Sequence, residues 1–129
     1  PEGVEPLQIV VGDVALLQDV GVEVQEETLL VHVIWEARDT TLQNYTTFMH
    51  LREGESVIGN DDRQPIPPTS SWAPGEVVIE TYTLPRPASG RYSIAMGLYD
   101  AAQGTRLALS ESSGRSFVDS QFVVTVEVP

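Results

Sequence analysis

The stretch from Tyr45 to Arg106 decides the fold of this chain. Its informative segments read YTTFMHL (45–51), DRQP (62–65), TSSWAPGE (69–76), SGRY (89–92), GLYD (97–100) and GTR (104–106). Strand-forming runs alternate there with turn signatures that contain proline or glycine. This spacing is typical of short strands joined by turns, and it specifies an architecture more firmly than a chemistry.

Apolar side chains recur at every second position in the segments 28–38, 91–100 and 118–128. A period of two puts successive side chains on opposite faces of a strand, so one face meets the core and the other meets water. Trp35 lies on the apolar face of the first segment and is a candidate core residue. Further predicted strands are 7–17 with a bend at Gly12-Asp13, 45–51, 55–58, 76–84 and a short edge strand at 106–109.

These segments predict an all-β protein. No window has the pattern of an amphipathic helix, and about seven or eight short strands separated by turns indicate an antiparallel two-sheet sandwich of immunoglobulin or fibronectin-III type. A closed barrel is the alternative. We expect the 129 residues to form a single domain with a lead-in at 1–6. Because the chain starts at Pro1 without an initiator methionine, we expect it to be excised from a larger protein.

The charge balance is strongly acidic. The chain has 19 acidic and 7 basic residues, all of the latter arginine, and a formal net charge of -12. Such a field repels phosphate backbones and anionic bilayers, so nucleic-acid binding and electrostatic membrane binding are disfavoured. No run approaches the ~20 apolar residues that span a bilayer, so we expect membrane attachment only through segments absent from this chain. Charged residues and prolines near the strand edges favour a monomer.

The segment 59–75 is the one long irregular stretch. A loop of this length in a compact domain is often functional. Pro67-Pro68 favours an extended backbone without internal hydrogen bonds. We therefore expect side chains such as Asp62, Thr69 and Trp72 to pin this loop.

Candidate catalytic groups are few. The segment 54–59 reads GESVIG, which differs from the Gly-x-Ser-x-Gly nucleophile elbow and lacks its strand-turn-helix context. A serine triad would need His32 or His50, and both lie in predicted strands. With no cysteine in the chain, thiolate chemistry, disulfides and cysteine-based zinc sites are excluded. We expect no enzyme activity.

A calcium site is the one metal site with some support. Asp61 and Asp62 are adjacent in the long loop, and Asp100 ends a predicted strand, so their oxygens would serve a hard cation if the loops converge. Loop aspartates more often cap turns or face solvent. We expect no cofactor.

A carbohydrate-binding surface is the best alternative on physical grounds. Tryptophan and tyrosine rings stack on sugar faces, and the candidates are Trp72, Tyr82, Tyr45 and Tyr99. Aromatic residues make up only 7% of the chain, and most of them are needed for the core. Trp72 is therefore also expected to fold back over an open edge of the sandwich.

The spacing of these motifs resembles a β-sandwich accessory domain found at the C-terminal end of bacterial membrane glycosyltransferases of the family 39 type, in Chloroflexi-like lineages. Two departures are Glu80 before Tyr82, where that family carries aspartate, and the segment 66–68, where it carries glycine and tyrosine. The matching positions are Tyr45, Phe48, His50, Leu51, Asp62, Pro65, Thr69, Trp72, Pro74, Gly75, Glu76, Gly90, Tyr92, Gly97, Leu98, Tyr99, Asp100, Gly104 and Arg106.

The resemblance implies a non-catalytic accessory or binding domain on the extracytoplasmic face of the cell membrane, with a glycan or another protein as partner. It transfers no catalytic residue. The alternatives are a carbohydrate-binding module that uses the 59–75 loop and a structural spacer or docking domain. The residues predicted to bind a ligand or to pin a loop are His50, Asp62, Arg63, Thr69, Trp72, Tyr99 and Asp100.

Overall fold

The computed structural model describes residues 8–111 and 117–129, and this part of the chain forms ten strands and two short 3-10 turns. The predicted lead-in at 1–6 lies outside the described residues. The strands are β1 (Ile9–Val11), β2 (Ala15–Val24), β3 (Thr28–Ala37), β4 (Thr46–Glu53), β5 (Ser56–Asn60), β6 (Val77–Pro85), β7 (Gly90–Asp100), β8 (Thr105–Arg106), β9 (Leu109–Glu111) and β10 (Phe122–Val128).

The strands form two antiparallel sheets that pack face to face. The first sheet has the order β6-β3-β2-β1-β9, and the second has the order β10-β7-β4-β5, with β8 paired to the end of β7. The neighbours β2-β3-β6 and β4-β7-β10 follow the A-B-E and C-F-G orders of immunoglobulin-type sandwiches. The predicted two-sheet sandwich is confirmed, and the closed barrel is excluded.

The core lies between the sheets, and its residues come from the alternation that the sequence predicted. In β6, the odd and even positions switch strictly between exposed and buried. Trp35, Tyr82 and Leu51 are fully buried, so the prediction of Trp35 as a core residue is confirmed. Burial of each large apolar side chain contributes roughly 1.5–3 kcal/mol, which makes this interior the main stabilising element of the domain.

The start of β7 carries a tyrosine corner. The Tyr92 hydroxyl donates to the carbonyl oxygen of Ala88 at 2.7 Å. In immunoglobulin-like folds, a tyrosine near the start of the sixth strand bonds back to the chain a few residues upstream in this way. The turn before β7 is thereby tied to the strand that follows it.

Two predicted strands differ from the structure. The segment 7–17 is a hairpin rather than one bent strand: Gly12, at φ 55°, sits in the turn between β1 and β2. The predicted edge strand at 106–109 is split, because Arg106 pairs in the second sheet and Leu109 in the first. The chain crosses from the second sheet to the first at this point. The hydrophobic pattern of residues 106–109 is too short to predict such a crossing. These two segments bring the number of strands in the described part of the chain to ten.

The predicted strand at 118–128 begins later than expected. Residues Val118–Ser120 form a 3-10 turn in which Asp119 has φ 58°, and Val118 is 80% exposed. The alternation holds from Phe122 to Val128, which pairs with β7. The described residues contain no helix long and apolar enough to cross a membrane.

Candidate functional site

The candidate site lies on the outer face of the second sheet. Along β4, Met49 and Leu51 belong to the core, so the alternate residues Phe48 and His50 face outward. Phe48 stands opposite Gly97 of β7, where an added Cβ would lie 2.8 Å from the Phe48 ring. The missing side chain at Gly97 therefore makes the room that the Phe48 ring occupies.

A cavity of about 190 Å³ opens on this face. One strand, one loop segment and one hairpin contribute to it: β4, the segment that follows β5, and the β7–β8 hairpin. Its lining residues are Phe48, His50, Asp62, Tyr99, Gly104 and Arg106. Three of these six, His50, Asp62 and Tyr99, are residues that the sequence singled out.

Aromatic rings and a guanidinium group form one wall of the cavity. The Phe48 ring centroid lies 6.3 Å from that of Tyr99 and 5.4 Å from that of His50. The Arg106 guanidinium carbon lies 4.1 Å above the Phe48 ring, at cation–π distance. Phe48 is only 2% exposed because these neighbours cover it. The accessible aromatic surface of the cavity therefore comes from Tyr99, which is half-buried.

His50 and Asp62 form the polar wall. The Asp62 carboxylate accepts from the Met49 backbone N–H at 2.9 Å through Oδ1, and Oδ2 lies 3.2 Å from Nε2 of His50. The backbone around Asp62 is fixed as well, because Asp61 and Arg63 pair with Met49 and Thr47 of β4. This pairing extends the second sheet beyond β5 and aims Asp62 at His50.

The other nitrogen of His50, Nδ1, is covered by neighbouring atoms and has no hydrogen-bond partner in the described part of the chain. Among the described residues that line the cavity, none is a serine, threonine or cysteine. A hydrolytic triad adds such a nucleophile to a pair of histidine and carboxylate.

Trp72 is a buried loop anchor and not an exposed platform. Its side chain is 2% exposed, and its indole N–H donates to the Pro67 carbonyl at 2.8 Å. The carbohydrate hypothesis uses Trp72 as a ring that stacks on a sugar face. That use of Trp72 is wrong, because no ring face is available for a sugar. Tyr82, another candidate ring, is fully buried in the core.

Thr69 pins the same loop from its other side. Its hydroxyl accepts from the Tyr45 backbone N–H at 2.9 Å and donates to the Gln43 carbonyl at 2.7 Å. Thr69 is fully buried, so both hydroxyl bonds form away from water. The loop is therefore held to the segment before β4, while its tip carries no exposed aromatic residue.

Arg63 belongs to a second polar cluster on the β6 side. Its guanidinium lies 3.5 Å from carboxylate oxygens of Asp61 and Glu80 and 4.2 Å from the Tyr82 ring centroid. Burial raises the pKa of Tyr82 from 10.0 to about 12. The Thr47 side chain and the Arg63 charge oppose this rise in pKa, while the Glu80 charge adds to it.

The three aspartates considered for calcium have separate partners. Asp100 caps the turn that follows β7, accepting from the Ala102 and Gln103 backbone N–H groups. Asp61 accepts from the Thr83 N–H at 2.9 Å, on the β6 side. Within residues 8–111 and 117–129, no three histidine, aspartate or glutamate side chains gather as a metal ion requires. Asp100 therefore acts in the turn and not in the cavity.

Sequence reasoning missed three of the six lining residues. Phe48, Gly104 and Arg106 all stand at positions of the recognised motifs, yet none was selected as a site residue. A signal existed in the spacing GLYD to GTR, because a hairpin of that length returns Arg106 beside Tyr99. Its stacking on Phe48 depends on the pairing of β4 with β7, which the local pattern does not report.

Comparison with known proteins adds no relative. No family model, curated protein or solved structure matches the chain. The resemblance to accessory domains of membrane glycosyltransferases stays a prediction, and the cavity has to be interpreted from its own geometry.

Proposed function

We propose that this protein is a non-catalytic binding domain that holds a sugar-sized ligand in the cavity between β4 and the β7–β8 hairpin. The observation that carries the proposal is the composition of the cavity. An accessible aromatic ring at Tyr99 stands beside a carboxylate at Asp62 and a guanidinium at Arg106. A ring that covers the apolar face of a sugar, with charged groups that bond its hydroxyls, is the chemistry of carbohydrate recognition.

The size of the cavity supports a small ligand. Its volume of about 190 Å³ is below the ~300–1,000 Å³ of sites for drug-sized molecules. A single ring, or the terminal unit of a longer glycan, suits this volume. A second hollow of about 210 Å³ near Gly54 and Arg91 is more open, and its aromatic residue, Tyr92, is only 7% exposed.

The position of His50 favours binding over catalysis. In a catalytic pair, the carboxylate orients one imidazole nitrogen while the other meets the substrate. Here Asp62 holds Nε2, and Nδ1 is buried. The imidazole then serves to orient Asp62, whose oxygens are the hydrogen-bond acceptors of the site.

The setting of the domain is part of the same proposal. The motif resemblance supports an accessory role in a larger extracytoplasmic protein, such as a membrane glycosyltransferase, in which the domain would hold a glycan near the enzyme. The same proposal includes a monomeric protein that does not bind nucleic acid. The acidic charge of -12 supports the latter.

The test is a screen of neutral and acidic monosaccharides by NMR chemical-shift perturbation. We expect the largest shifts at Tyr99, Gly104 and neighbouring amides, and about a fivefold loss of affinity in Tyr99→Leu, since stacking on an aromatic ring contributes ~1 kcal/mol. Tyr45→Leu is the matched control, because Tyr45 is a half-buried tyrosine outside the cavity.

Three results would contradict the proposal. Binding that maps to residues 66–75 of the loop, away from Asp62, would favour a different site, and an absence of binding to every sugar would favour the structural spacer. Equal losses of affinity in Tyr99→Leu and Tyr45→Leu would show a general effect of losing a tyrosine, which would also argue against the cavity.

A further inference from the structure

Two arginines converge on one neutral acceptor beside the cavity. Nη2 of Arg52 donates to the side-chain oxygen of Gln121 at 2.8 Å, and Nη1 of Arg106 donates to the same oxygen at 3.2 Å. Gln121 is 9% exposed, so its amide lies largely out of water. The two cations are therefore held within a few ångströms of each other.

This pair has no counter-ion in the described part of the chain. Arg63 and Arg91 both contact carboxylates, whereas no ion pair joins Arg52 or Arg106 to an acidic residue among 8–111 and 117–129. Nε of Arg52 is also buried without a hydrogen-bond partner there. Like charges at this distance repel, most strongly where water is excluded. In a protein with 19 acidic residues, such a pair indicates a site for an external anion.

Arg106 is the member of the pair that faces the cavity. Its stacking on Phe48 and its bond from Nη1 to the Asp119 carbonyl at 3.0 Å fix the plane of the guanidinium. Nη2 and Nε of Arg106 make no hydrogen bond with any described residue. A guanidinium with a free fork of donors is suited to bind a carboxylate through two parallel bonds.

The opposite wall of the cavity has the reverse polarity. Asp62 presents carboxylate oxygens there, and His50 lies against them. Asp62 would repel a second negative charge but accepts hydrogen bonds from hydroxyl groups. The ligand that satisfies both walls is anionic at one end and carries hydroxyls at the other.

We infer that the ligand is a sugar carboxylate, a uronic acid, whose carboxylate binds Arg106 and whose hydroxyls bind Asp62. The inference rests on the proposed function, because it names the ligand class of the same cavity. Arg52 supports the site by adding positive charge behind Gln121. A carboxylate fits better than a phosphate, because a phosphate carries about -1.5 to -2 charge and meets more repulsion from a protein of net charge -12.

The experiment measures binding of glucuronate and galacturonate against glucuronamide and glucose, by isothermal titration at fixed ionic strength. Glucuronamide keeps the shape of glucuronate and removes its charge. We expect one or both uronates to bind at least about tenfold more tightly than the amide, since a charge-assisted bond contributes that much or more. Added salt should weaken uronate binding and leave glucose binding unchanged.

Matched variants assign the effect to the site. Arg106→Gln should remove the preference for the uronate over the amide, and Arg52→Gln should reduce it. Arg38→Gln makes the same change in net charge at an exposed arginine outside the cavity, and it should keep the preference. If Arg106→Gln does not fold, Arg52→Gln and the salt dependence of the unmodified protein still decide the question.

Each other outcome has a distinct meaning. Equal affinity for glucuronate, glucuronamide and glucose would overturn the uronate inference and leave the binding function intact. Tighter binding of glucose phosphate than of either uronate would overturn the choice of carboxylate. Absence of binding for all of these sugars would overturn both the inference and the proposed function.

Discussion

Tyr82 and Trp72 each bury a polar atom together with an aromatic ring. The Trp72 indole N–H has a partner, the Pro67 carbonyl. The Tyr82 hydroxyl faces the side chains of Thr47 and Trp35, but none of the three polar atoms reaches full hydrogen-bond geometry. A buried hydroxyl in that situation loses its hydration without full compensation, and its charged form is disfavoured still more.

The raised pKa of Tyr82 predicts a loss of stability at alkaline pH. The unfolded chain releases this proton near pH 10.0 and the folded protein near pH 12, so between these values the folded state binds more protons. The unfolding free energy therefore falls as pH rises through this window, by up to about 3 kcal/mol, and is unaffected by Tyr82 below it. Urea unfolding at a series of pH values measures the slope.

Tyr82→Phe is the matching variant, because it keeps the ring and removes the ionisable group. We expect it to lie within about 1 kcal/mol of the unmodified protein at neutral pH and to lose most of the alkaline slope. An identical slope in both proteins would show that another group causes the alkaline loss.

At the scale of elements, the segment 61–66 joins the edge strand β6 to the second sheet. Asp61 accepts from the Thr83 N–H, Arg63 donates to the Thr81 carbonyl, and Glu80 accepts from the Ile66 N–H at 2.9 Å. The first two contacts occupy backbone groups of β6, and the third uses a β6 side chain. Covered edges of this kind prevent the pairing of exposed strands between molecules.

The ion pair between Arg63 of this segment and Glu80 of β6 should contribute more to the free energy of unfolding than an ion pair on the open surface. Glu80 is 7% exposed, and Arg63→Met would leave its carboxylate buried without a cation, at a cost of about 2 kcal/mol or more. Arg91→Met removes a comparable pair with Glu127, whose side chains are 75% and 65% exposed, and should cost less than about 1 kcal/mol. Chemical denaturation of both variants measures the difference, and equal costs would contradict the structural role of the segment.

For the whole molecule, the acidic charge is the dominant long-range property. A net charge of -12 on 129 residues produces repulsion that opposes the compact state. The described arginines offset it locally, through the Arg63 and Arg91 ion pairs, while Arg52 and Arg106 face each other across Gln121. The remaining repulsion is distributed over the surface.

Salt should therefore stabilise the folded protein. Between ~0.01 M and ~0.15 M ionic strength the screening length falls from about 30 Å to about 8 Å, so we expect most of the rise in melting temperature in that range. Sodium chloride and sodium sulfate compared at equal ionic strength separate screening from the general stabilising effect of sulfate. A melting temperature that stays constant or falls as sodium chloride is added would contradict this prediction.

The sequence alone determined the sandwich, because the alternation of apolar and polar residues within about ten residues shows which side chains face the core. The strands at 28–38, 76–84 and 91–100 and the core position of Trp35 follow from a period of two. The split of 106–109 between two sheets and the turn at Val118 could not be read in this way. Both depend on where the chain crosses from one sheet to the other.

Only the tertiary structure decided the candidate site. Arg52 and Gln121 are far apart in the chain. Their side chains meet because β4 and β10 are both neighbours of β7 in the second sheet. The same pairing brings Phe48 under Arg106, while the packing of the loop buries Trp72. Local sequence reports which face of a strand a residue occupies. Which residues meet on that face is set by strand order and register, and these are properties of the assembled sheets.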